Sequence, residues 1–124
     1  MMRRDPPVRL LVVDDDAEAA AELAELFEAH GAVVSLAQDA AEALRLVVEA
    51  RPEIALVDLQ LGAASGAELA LGWHGTAGAP LVLLLSGRAL TAAEAAAFGA
   101  DAPPLLRKPI DLARLVAEVD RLRP

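Results

Sequence analysis

Several short apolar runs in this chain are each followed by a side chain that can bind a metal ion or a phosphoryl group. Buried parallel strands have short, continuous apolar sequences, and open α/β sheets place their ligand sites just beyond the carboxyl ends of the strands. We therefore expect these side chains to converge on one crevice. The runs and the residues that follow them are 10–13 with Asp14 and Asp15, 54–57 with Asp58, 81–85 with Ser86, and 105–107 with Lys108.

An acidic cluster with one hydroxyl and one lysine contains the groups that metal-assisted phosphoryl chemistry requires. Crowded carboxylates repel each other, and a divalent cation that prefers oxygen ligands supplies the missing positive charge. Mg²⁺ is the expected ion, because proteins usually hold it by one or two carboxylates, with water and phosphate oxygens completing the shell. Asp58 stands alone at its strand end and is the candidate nucleophile, whereas Asp14 and Asp15 form a pair suited to the metal.

Each of these residues also has a simpler structural explanation. Aspartates favour helix N-termini, so Asp14, Asp15 and Asp16 could cap the helix that follows them. Ser86 could be an ordinary turn residue, and Lys108 a solvated surface lysine. The order of all these residues along the chain is what favours a functional site.

The length and composition indicate how many domains the chain forms and which kinds of partner are not expected. Its 124 residues fit one domain, and 56% hydrophobic with 24% charged residues is typical of a soluble globular protein. The longest apolar run, at 81–85, is far shorter than the roughly 20 residues that cross a bilayer, so no membrane span is expected. The net charge of −8 argues against direct nucleic-acid binding, which requires clustered lysines and arginines.

The chain has no cysteine, so oxygen and imidazole are the available metal ligands, and hard divalent ions fit this set best. Residues 1–7 carry Arg3 and Arg4, but the apolar stretch that follows is interrupted by Arg9 and runs into acids, unlike a signal peptide. We interpret residues 1–7 as a loose N-terminal tail of a cytoplasmic protein, followed by one domain over residues 8–124.

Apolar runs alternate with segments of helical periodicity, which is the βαβ pattern of a parallel sheet covered on both faces. Strands are predicted over 10–13, 33–36 and 54–58, from about residue 80, and at 105–107. Helices are predicted over 16–30, from 39 to about 50, before the glycine-rich segment 72–78, from 91 to about 99, and from about 111.

Two helices have a clear apolar stripe. The first is expected to bury Ala19, Leu23, Leu26 and Phe27 and to end at His30 on its inner or boundary face. His74 is interpreted as a solvated loop residue, because neither histidine has partners spaced for a metal site. The last helix is expected to bury Leu112, Leu115, Val116, Val119 and Leu122.

The ordered combination of motifs resembles the receiver domain of bacterial two-component response regulators over residues 8–122. The family has an acidic pair after strand one, a phosphoacceptor at the end of strand three, a switch hydroxyl with a small neighbour, a common stretch before strand five, and a lysine–proline pair. In this chain the acidic pair is matched by Asp14 and Asp15, and the phosphoacceptor by Asp58. The switch hydroxyl and its small neighbour are matched by Ser86 and Gly87. Residues 99–101 match the stretch before strand five, and Lys108 with Pro109 matches the lysine–proline pair.

The resemblance implies an α/β fold of the flavodoxin-like receiver type, a five-stranded parallel sheet in the order 2-1-3-4-5 with helices on both faces. It implies that Asp58 takes a phosphoryl group from a phosphohistidine of a sensor histidine kinase or phosphotransfer protein. Mg²⁺ would be bound by Asp15, Asp58 and the main-chain carbonyl of Gln60, with Asp14 acting mostly through water.

The resemblance further implies a charge switch. Lys108 would pair with the phosphoryl oxygens, and Ser86 would move to donate to one of them, helped by the N–H of Gly87. Gln60 and Arg88 occupy positions that tune phosphoryl lifetime in this family. The readout would be the face of helix four, strand five and helix five, which would contact an unknown downstream protein or form a homodimer.

The chain departs from the family pattern at three places. Leu105 stands where an aromatic residue is usual, which puts the coupling of the switch hydroxyl to that residue in doubt. Pro103 and Pro104 coincide with two extra residues before strand five, so the loop there is expected to be reshaped. Gly62 replaces a common proline, and we expect it to loosen the loop after the phosphoacceptor.

Two alternatives to a phosphorylatable receiver are open at this stage. One is a pseudo-receiver, a binding module that keeps the fold but acts without phosphorylation. Leu105 and the altered loop before strand five motivate it. The other is a metal-dependent phosphohydrolase of the haloacid dehalogenase type, because residues 14–16 contain an Asp-x-Asp motif. That family needs a larger chain and normally has Thr or Val where this chain has Glu18.

Overall fold

The computed structural model describes residues 6–73 and 76–123, so residues 1–5 of the predicted tail and the predicted loop residue His74 lie outside the described part. Strands and helices alternate through the described residues. The strands of the main sheet are β1 (Arg9–Val13), β2 (Val33–Ala37), β3 (Ile54–Asp58), β4 (Leu81–Ser86) and β5 (Leu105–Arg107), and the helices are α1 (Ala17–Ala29), α2 (Ala40–Glu49), α3 (Gly66–Trp73), α4 (Ala92–Phe98) and α5 (Leu112–Leu122). A two-stranded ribbon, Gln60–Leu61 with Ala64–Ser65, and a 3₁₀ turn, Gly99–Asp101, complete these elements.

The main sheet has all its strands parallel, in the order β2–β1–β3–β4–β5. This confirms the predicted α/β fold and strand order. The chain moves outward in one direction from β1 to β2 and in the other from β3 to β5, so a crevice forms at the carboxyl ends of β1 and β3, where the direction reverses. In register, Asp58 lies opposite Leu85 and Ser86 lies opposite Arg107. The strand ends singled out in the sequence therefore lie side by side.

Side chains that accept backbone N–H groups fix where the helices begin. In α3 the acceptor is Ser65 Oγ, which lies 3.1 and 3.4 Å from the N–H groups of Ala67 and Glu68. Asp16, Asp39 and Asp111 cap α1, α2 and α5, and Thr91 with Glu94 forms a reciprocal capping box on α4. These caps supply acceptors for N–H groups that have no partner within the first turn of a helix. Each helix thus begins within a few residues of a strand end.

Alternate side chains of the strands point to opposite faces of the sheet, and each face is covered by helices. One core lies between the sheet and α1 and α5, with Phe27 and Leu115 fully buried. The other lies between the sheet and α2, α3 and α4, and it buries Trp73 and Phe98. Every residue of β3 is buried, as expected for a central strand.

The structure confirms part of each predicted apolar stripe and corrects the rest. In α1 the predicted Leu23 and Phe27 are buried, together with Ala20 and Ala24, which were not predicted. Ala19 and Leu26 are half-buried, and Leu26 packs against the core. His30 is half-buried at the C-cap of α1, which confirms its boundary position, and its Nδ1 lies 2.8 Å from the carbonyl oxygen of Leu26.

In α5 the buried residues are Leu115 and Val119, while Val116 and Leu122 are half-buried. Leu112, predicted to be buried, is 51% exposed because it lies directly after the N-cap of the helix, beyond the part that covers the sheet.

None of the helices in the described ranges is long and apolar enough to traverse a bilayer.

Replacing Leu115 with alanine is expected to lower the free energy of unfolding by about 2–5 kcal/mol, because it leaves a cavity in the core under α5. Leu112→Ala is the matched control, since it removes the same atoms from the same helix at an exposed position and should change stability by less than about 0.5 kcal/mol. Urea unfolding followed by circular dichroism measures both. Equal losses for the two variants would contradict the packing described for α5.

Candidate functional site

The carboxyl ends of β1, β3, β4 and β5 enclose a crevice of about 610 Å³. The residues that the sequence analysis singled out for chemistry come together there, contributed by four separate strand ends. The crevice is lined by Asp14, Asp15, Asp58, Gln60, Ser86, Gly87, Arg88 and Lys108, and its wall also includes Asp16, Ala19 and Gly62.

Asp58 lies at the centre of this crevice, at the end of the central strand, with 8% of its surface exposed. Its Oδ2 accepts a hydrogen bond from Lys108 Nζ at 2.9 Å, and its Oδ1 accepts one from the N–H of Gln60 at 3.0 Å. Lys108 follows β5, and its N–H donates to the carbonyl oxygen of Ser86 at 2.7 Å. The Lys108–Pro109 peptide bond is cis. A buried carboxylate is thus paired with a lysine that is itself fixed to the end of β4.

Asp14, Asp15 and Asp58 form an acidic cluster in which each carboxylate offers an oxygen within 4.8 Å of the others. Asp14 is 4% exposed, and its Oδ1 accepts the N–H of Asp16 at 2.9 Å. Burial raises the pKa of Asp14 above its ordinary value, against the opposing effect of the Asp16 N–H, and the negative charge of Asp58 raises it further. An all-oxygen donor set with excess negative charge fits a hard divalent cation such as Mg²⁺.

Asp16 has a structural role that the sequence analysis had left open. Its Oδ1 accepts the N–H groups of Glu18 and Ala19 at 3.1 and 3.2 Å, so it caps α1. The second acid of the Asp-x-Asp motif is therefore occupied in a helix cap. This arrangement favours a structural role for Asp16 over a role in a phosphohydrolase motif.

The loop after Asp58 folds back as a tight hairpin. Gln60 pairs with Ser65 and Leu61 with Ala64, and Gly62 at the turn has φ +60°, which proline cannot adopt. Glycine at this position therefore allows the loop to form a paired hairpin, and the loosening predicted from the sequence stays a prediction. A Cβ on Gly62 would lie 3.4 Å from Asp15 Oδ2, so the hairpin also borders the acidic cluster.

Helix α3 begins in direct contact with the main chain of the phosphoacceptor candidate. The N–H of Gly66 donates to the carbonyl oxygen of Leu59 at 2.8 Å, and a Cβ on Gly66 would overlap the carbonyl oxygen of Asp58. Glycine is therefore needed where α3 meets the end of β3.

Ser86 is 2% exposed, and its hydroxyl is directed to its own turn. Its Oγ donates to the carbonyl oxygen of Arg88 at 2.6 Å and accepts the N–H of Arg88 at 2.9 Å. In this state the hydroxyl proton is committed to Arg88. Ser86 thus lines the crevice, but its proton is not directed to Asp58.

The contacts that hold this turn do not follow from the sequence pattern. The guanidinium of Arg88 lies 2.8 and 3.0 Å from the two carboxylate oxygens of Glu94, and that of Arg107 donates to the carbonyl oxygen of Gly87 at 2.8 Å. The hydrogen bonds from Arg88 lower the pKa of Glu94 to about 2. The six-residue spacing between Arg88 and Glu94 matches no helical pairing, and their contact depends on the turn between them.

The remaining departures from the family pattern concern β5. Leu105 is half-buried opposite Leu84 and carries no polar atom. The carbonyl oxygen of Pro104 accepts the N–H of Leu84 at 2.9 Å, so the lengthened loop keeps β5 paired with β4. Pro103 and Pro104 also line a cavity of about 390 Å³ at the opposite edge of the sheet, together with Trp73 and Phe98.

Comparisons with known proteins point to one family. The family model of the response regulator receiver domain matches residues 10–120. The chain is 34% identical over 116 residues to response regulator MprA of Mycobacterium sp. (strain KMS), covering 94% of this chain and 50% of that protein. It is 36% identical over 114 residues to the transcriptional regulatory protein PrrA of Mycobacterium leprae, covering 92% of this chain and 49% of that protein. The chain thus spans about half the length of these curated relatives.

Among solved structures, the chain resembles a receiver domain protein described as CheY-like from Methanospirillum hungatei. The TM-score is 0.80 at 25% identity, and the match covers 93% of each chain. The receiver domain from Bermanella marisrubri has a TM-score of 0.78 at 26% identity, with 92% of this chain and 96% of that chain covered. The name of PrrA refers to transcription, and the chain matches about half of that protein. That this chain does not itself bind nucleic acid stays a prediction.

Replacing Gly66 with alanine is expected to lower the free energy of unfolding by about 1–3 kcal/mol and to displace the main chain of Asp58, because the new Cβ has no room. Gly72→Ala on the same helix is the matched control, since nothing lies within 4 Å of its Cβ and alanine favours a helix by about 1 kcal/mol. Urea unfolding and the amide chemical shifts of residues 58–60 measure the two effects. Unchanged shifts in Gly66→Ala would contradict the close contact.

Proposed function

Because the chain belongs to the response regulator receiver domain family, we propose that it is a signalling module in which Asp58 accepts a phosphoryl group in the presence of Mg²⁺. The donor would be a phosphohistidine of a sensor histidine kinase or phosphotransfer protein. The observation that carries the proposal is the environment of Asp58, which has Lys108 Nζ at 2.9 Å and lies within the acidic cluster with Asp14 and Asp15.

Asp58 acts as the nucleophile in this proposal. A carboxylate oxygen forms a bond to phosphorus as the phosphorus–nitrogen bond of the phosphohistidine breaks, and the histidine leaves with the electron pair and takes up a proton. Lys108 neutralises negative charge on the phosphoryl oxygens, and the N–H of Gln60 holds the carboxylate in place. The chain catalyses only its own phosphorylation and dephosphorylation.

Mg²⁺ would be held by Asp15, Asp58 and the main-chain carbonyl of Gln60, with Asp14 acting through water. When bound, it neutralises the phosphoryl oxygens that develop charge during transfer. The support for this assignment is the crowding of the three carboxylates within 4.8 Å, which an added cation would relieve. The same crowding explains why the protein would bind the metal before any phosphoryl group arrives.

The phosphorylated state would be recognised by Lys108, by the N–H of Gly87 and by the hydroxyl of Ser86, which must first leave the main chain of Arg88. Gln60 and Arg88 would set the phosphoryl lifetime from the crevice wall. We assign residues 8–124 to the receiver and residues 1–7 to a tail of a cytoplasmic protein. The readout would be the face of α4, β5 and α5, through a downstream protein or a homodimer.

The alternative is a pseudo-receiver that binds partners without phosphorylation. Leu105 favours it, because leucine replaces the aromatic residue to which the switch hydroxyl is usually coupled in this family. The intact set of Asp14, Asp15, Asp58 and Lys108 favours the phosphorylatable receiver instead. The two proposals differ in whether Asp58 takes a phosphoryl group.

Removing the metal should expose the repulsion in the acidic cluster. Without Mg²⁺ at pH 7, Asp14→Asn is expected to raise the free energy of unfolding by about 1–2 kcal/mol, since it removes one of three crowded charges. Above its Kd, Mg²⁺ should stabilise the wild type by about 1.4 kcal/mol per tenfold increase in concentration and stabilise Asp14→Asn less.

Asp16→Asn is the control for this experiment, because asparagine caps a helix as well as aspartate does. It should behave as the wild type in both conditions. Chemical unfolding with EDTA and with a series of Mg²⁺ concentrations measures all three proteins. Wild-type stability that does not depend on Mg²⁺ would contradict the proposed metal site.

Phosphorylation itself is tested by intact mass spectrometry after incubation with Mg²⁺ and acetyl phosphate. The wild type is expected to gain the mass of one phosphoryl group, and the gain should disappear in Asp58→Asn or when EDTA is added. Asp101→Asn, an exposed aspartate on the 3₁₀ turn, is the control and should still be labelled. An unlabelled wild type would favour the pseudo-receiver, and turnover blocked by Asp14→Asn but not by Asp58→Asn would favour a phosphohydrolase.

A further inference from the structure

Two arginines hold the turn between β4 and α4 from opposite sides. Arg107 reaches from the end of β5 and donates to the carbonyl oxygen of Gly87 at 2.8 Å. Arg88 points to α4, where both terminal nitrogens bind the carboxylate of Glu94, and its Nη1 also donates to the carbonyl oxygen of Ala89 at 3.0 Å. A two-point pairing of this kind fixes the orientation of the guanidinium as well as its position.

The partner of Arg88 is itself fixed to its helix. The carboxylate of Glu94 accepts the N–H of Thr91 at 2.8 Å, and the N–H of Glu94 donates to Thr91 Oγ1 at 3.1 Å. The side chain of Glu94 is only 18% exposed, so the ion pair is partly shielded from solvent. The first turn of α4 therefore anchors the side chain of Arg88.

The main chain of Arg88 is what holds the hydroxyl of Ser86. A hydroxyl has one proton, and that of Ser86 is donated to the carbonyl oxygen of Arg88, while its Oγ accepts the N–H of the same residue. Ser86 cannot make this bond and also donate to a phosphoryl oxygen on Asp58. For the hydroxyl to change partner, the main chain of Arg88 must lose a buried hydrogen bond or move.

We propose that the ion pair between Arg88 and Glu94 is a latch that keeps the Ser86 hydroxyl on the main chain of Arg88, which makes Glu94 a positioning residue for phosphoryl recognition. The proposal rests on the proposed function, since the latch has an effect when Asp58 is phosphorylated. Arg88 lies between two anionic groups, because it also lines the crevice. A phosphoryl group, with a charge of about −1.5 to −2, would compete with Glu94 for its guanidinium.

The latch also offers a route for the signal that does not use β5. Leu105 has no polar atom that could take up a hydroxyl or follow its movement. Arg88, by contrast, accepts the Ser86 hydroxyl with its main-chain carbonyl and binds Glu94, in the first turn of α4, with its side chain. Hydrogen bonds of this one residue therefore connect Ser86 to α4. Release of the latch would change the contacts at the start of α4 directly.

The test compares Glu94→Gln with Thr91→Ala in the full chain. Glutamine keeps a carbonyl for the N–H of residue 91, as in natural capping boxes, but loses the charge that pairs with Arg88. Thr91→Ala removes the hydroxyl cap of α4 and leaves the ion pair in place. The two variants therefore separate the latch from the stability of the helix. The probe is beryllium fluoride with Mg²⁺, a tetrahedral stand-in for the phosphoryl group on an aspartate, titrated by ¹H–¹⁵N spectra.

Glu94→Gln is expected to bind beryllium fluoride about three- to fivefold more tightly than the wild type, because the latch no longer has to be broken. Thr91→Ala should bind as the wild type does. In the absence of the probe, the amide of Arg88 should exchange with solvent faster in Glu94→Gln than in Thr91→Ala. In an Arg88→Gln background, adding Glu94→Gln should not tighten binding further, because no guanidinium remains for Glu94 to hold.

Equal affinities of Glu94→Gln and wild type, or an equal gain in Thr91→Ala, would overturn the latch while the proposed function stands. Additive effects of Arg88→Gln and Glu94→Gln would also overturn it, because the two residues would then act separately. If the wild type shows no response to beryllium fluoride with Mg²⁺, the proposed function fails and the latch fails with it.

Discussion

Mutual repulsion among Asp14, Asp15 and Asp58 is the constraint that shapes this end of the molecule. At an effective dielectric constant of about 20, two unit charges 4 Å apart interact by about 4 kcal/mol, and three carboxylates here offer oxygens within 4.8 Å of one another. The fold opposes this repulsion with Lys108 Nζ on Asp58 and with N–H groups aimed at Asp14 and Asp58. The remaining imbalance of charge is what an added cation would relieve.

The parallel sheet supplies the positions, and a few local features set the distances. The register places the ends of β3, β4 and β5 side by side, so that Asp58 and Lys108 meet although 50 residues separate them. The close approach of α3 at Gly66 and the hairpin around Gly62 then fix the chain on either side of Gln60. A rigid scaffold with loops at the carboxyl ends of its strands is how α/β sheets usually hold functional groups.

The sequence predicted the fold and the residues that line the crevice because both follow from local pattern. Apolar runs and helical periodicity specify the βαβ order, and polar residues at strand ends fall at one edge of a parallel sheet. The pattern predicted that Leu23 and Phe27 of α1 are buried but missed Ala20 and Ala24, because alanines occur on several faces of this helix. It also missed the pairing of Arg88 with Glu94, because that contact depends on the path of a turn and not on a repeating period.

The shortness of α4 makes the contacts at its ends decisive. A helix of seven residues is too short to be stable by itself, and five of the seven are exposed alanines that add little packing. Phe98 holds its last turn in the core, and the capping box with Arg88 holds its first turn. Because so few contacts fix α4, a change in the partner of Arg88 would remove one of the main contacts that hold the first turn of α4 in place. The exposed alanines also leave the outer face of α4 without bulky side chains, so the contacts at the two ends of the helix contribute most of what holds it in place.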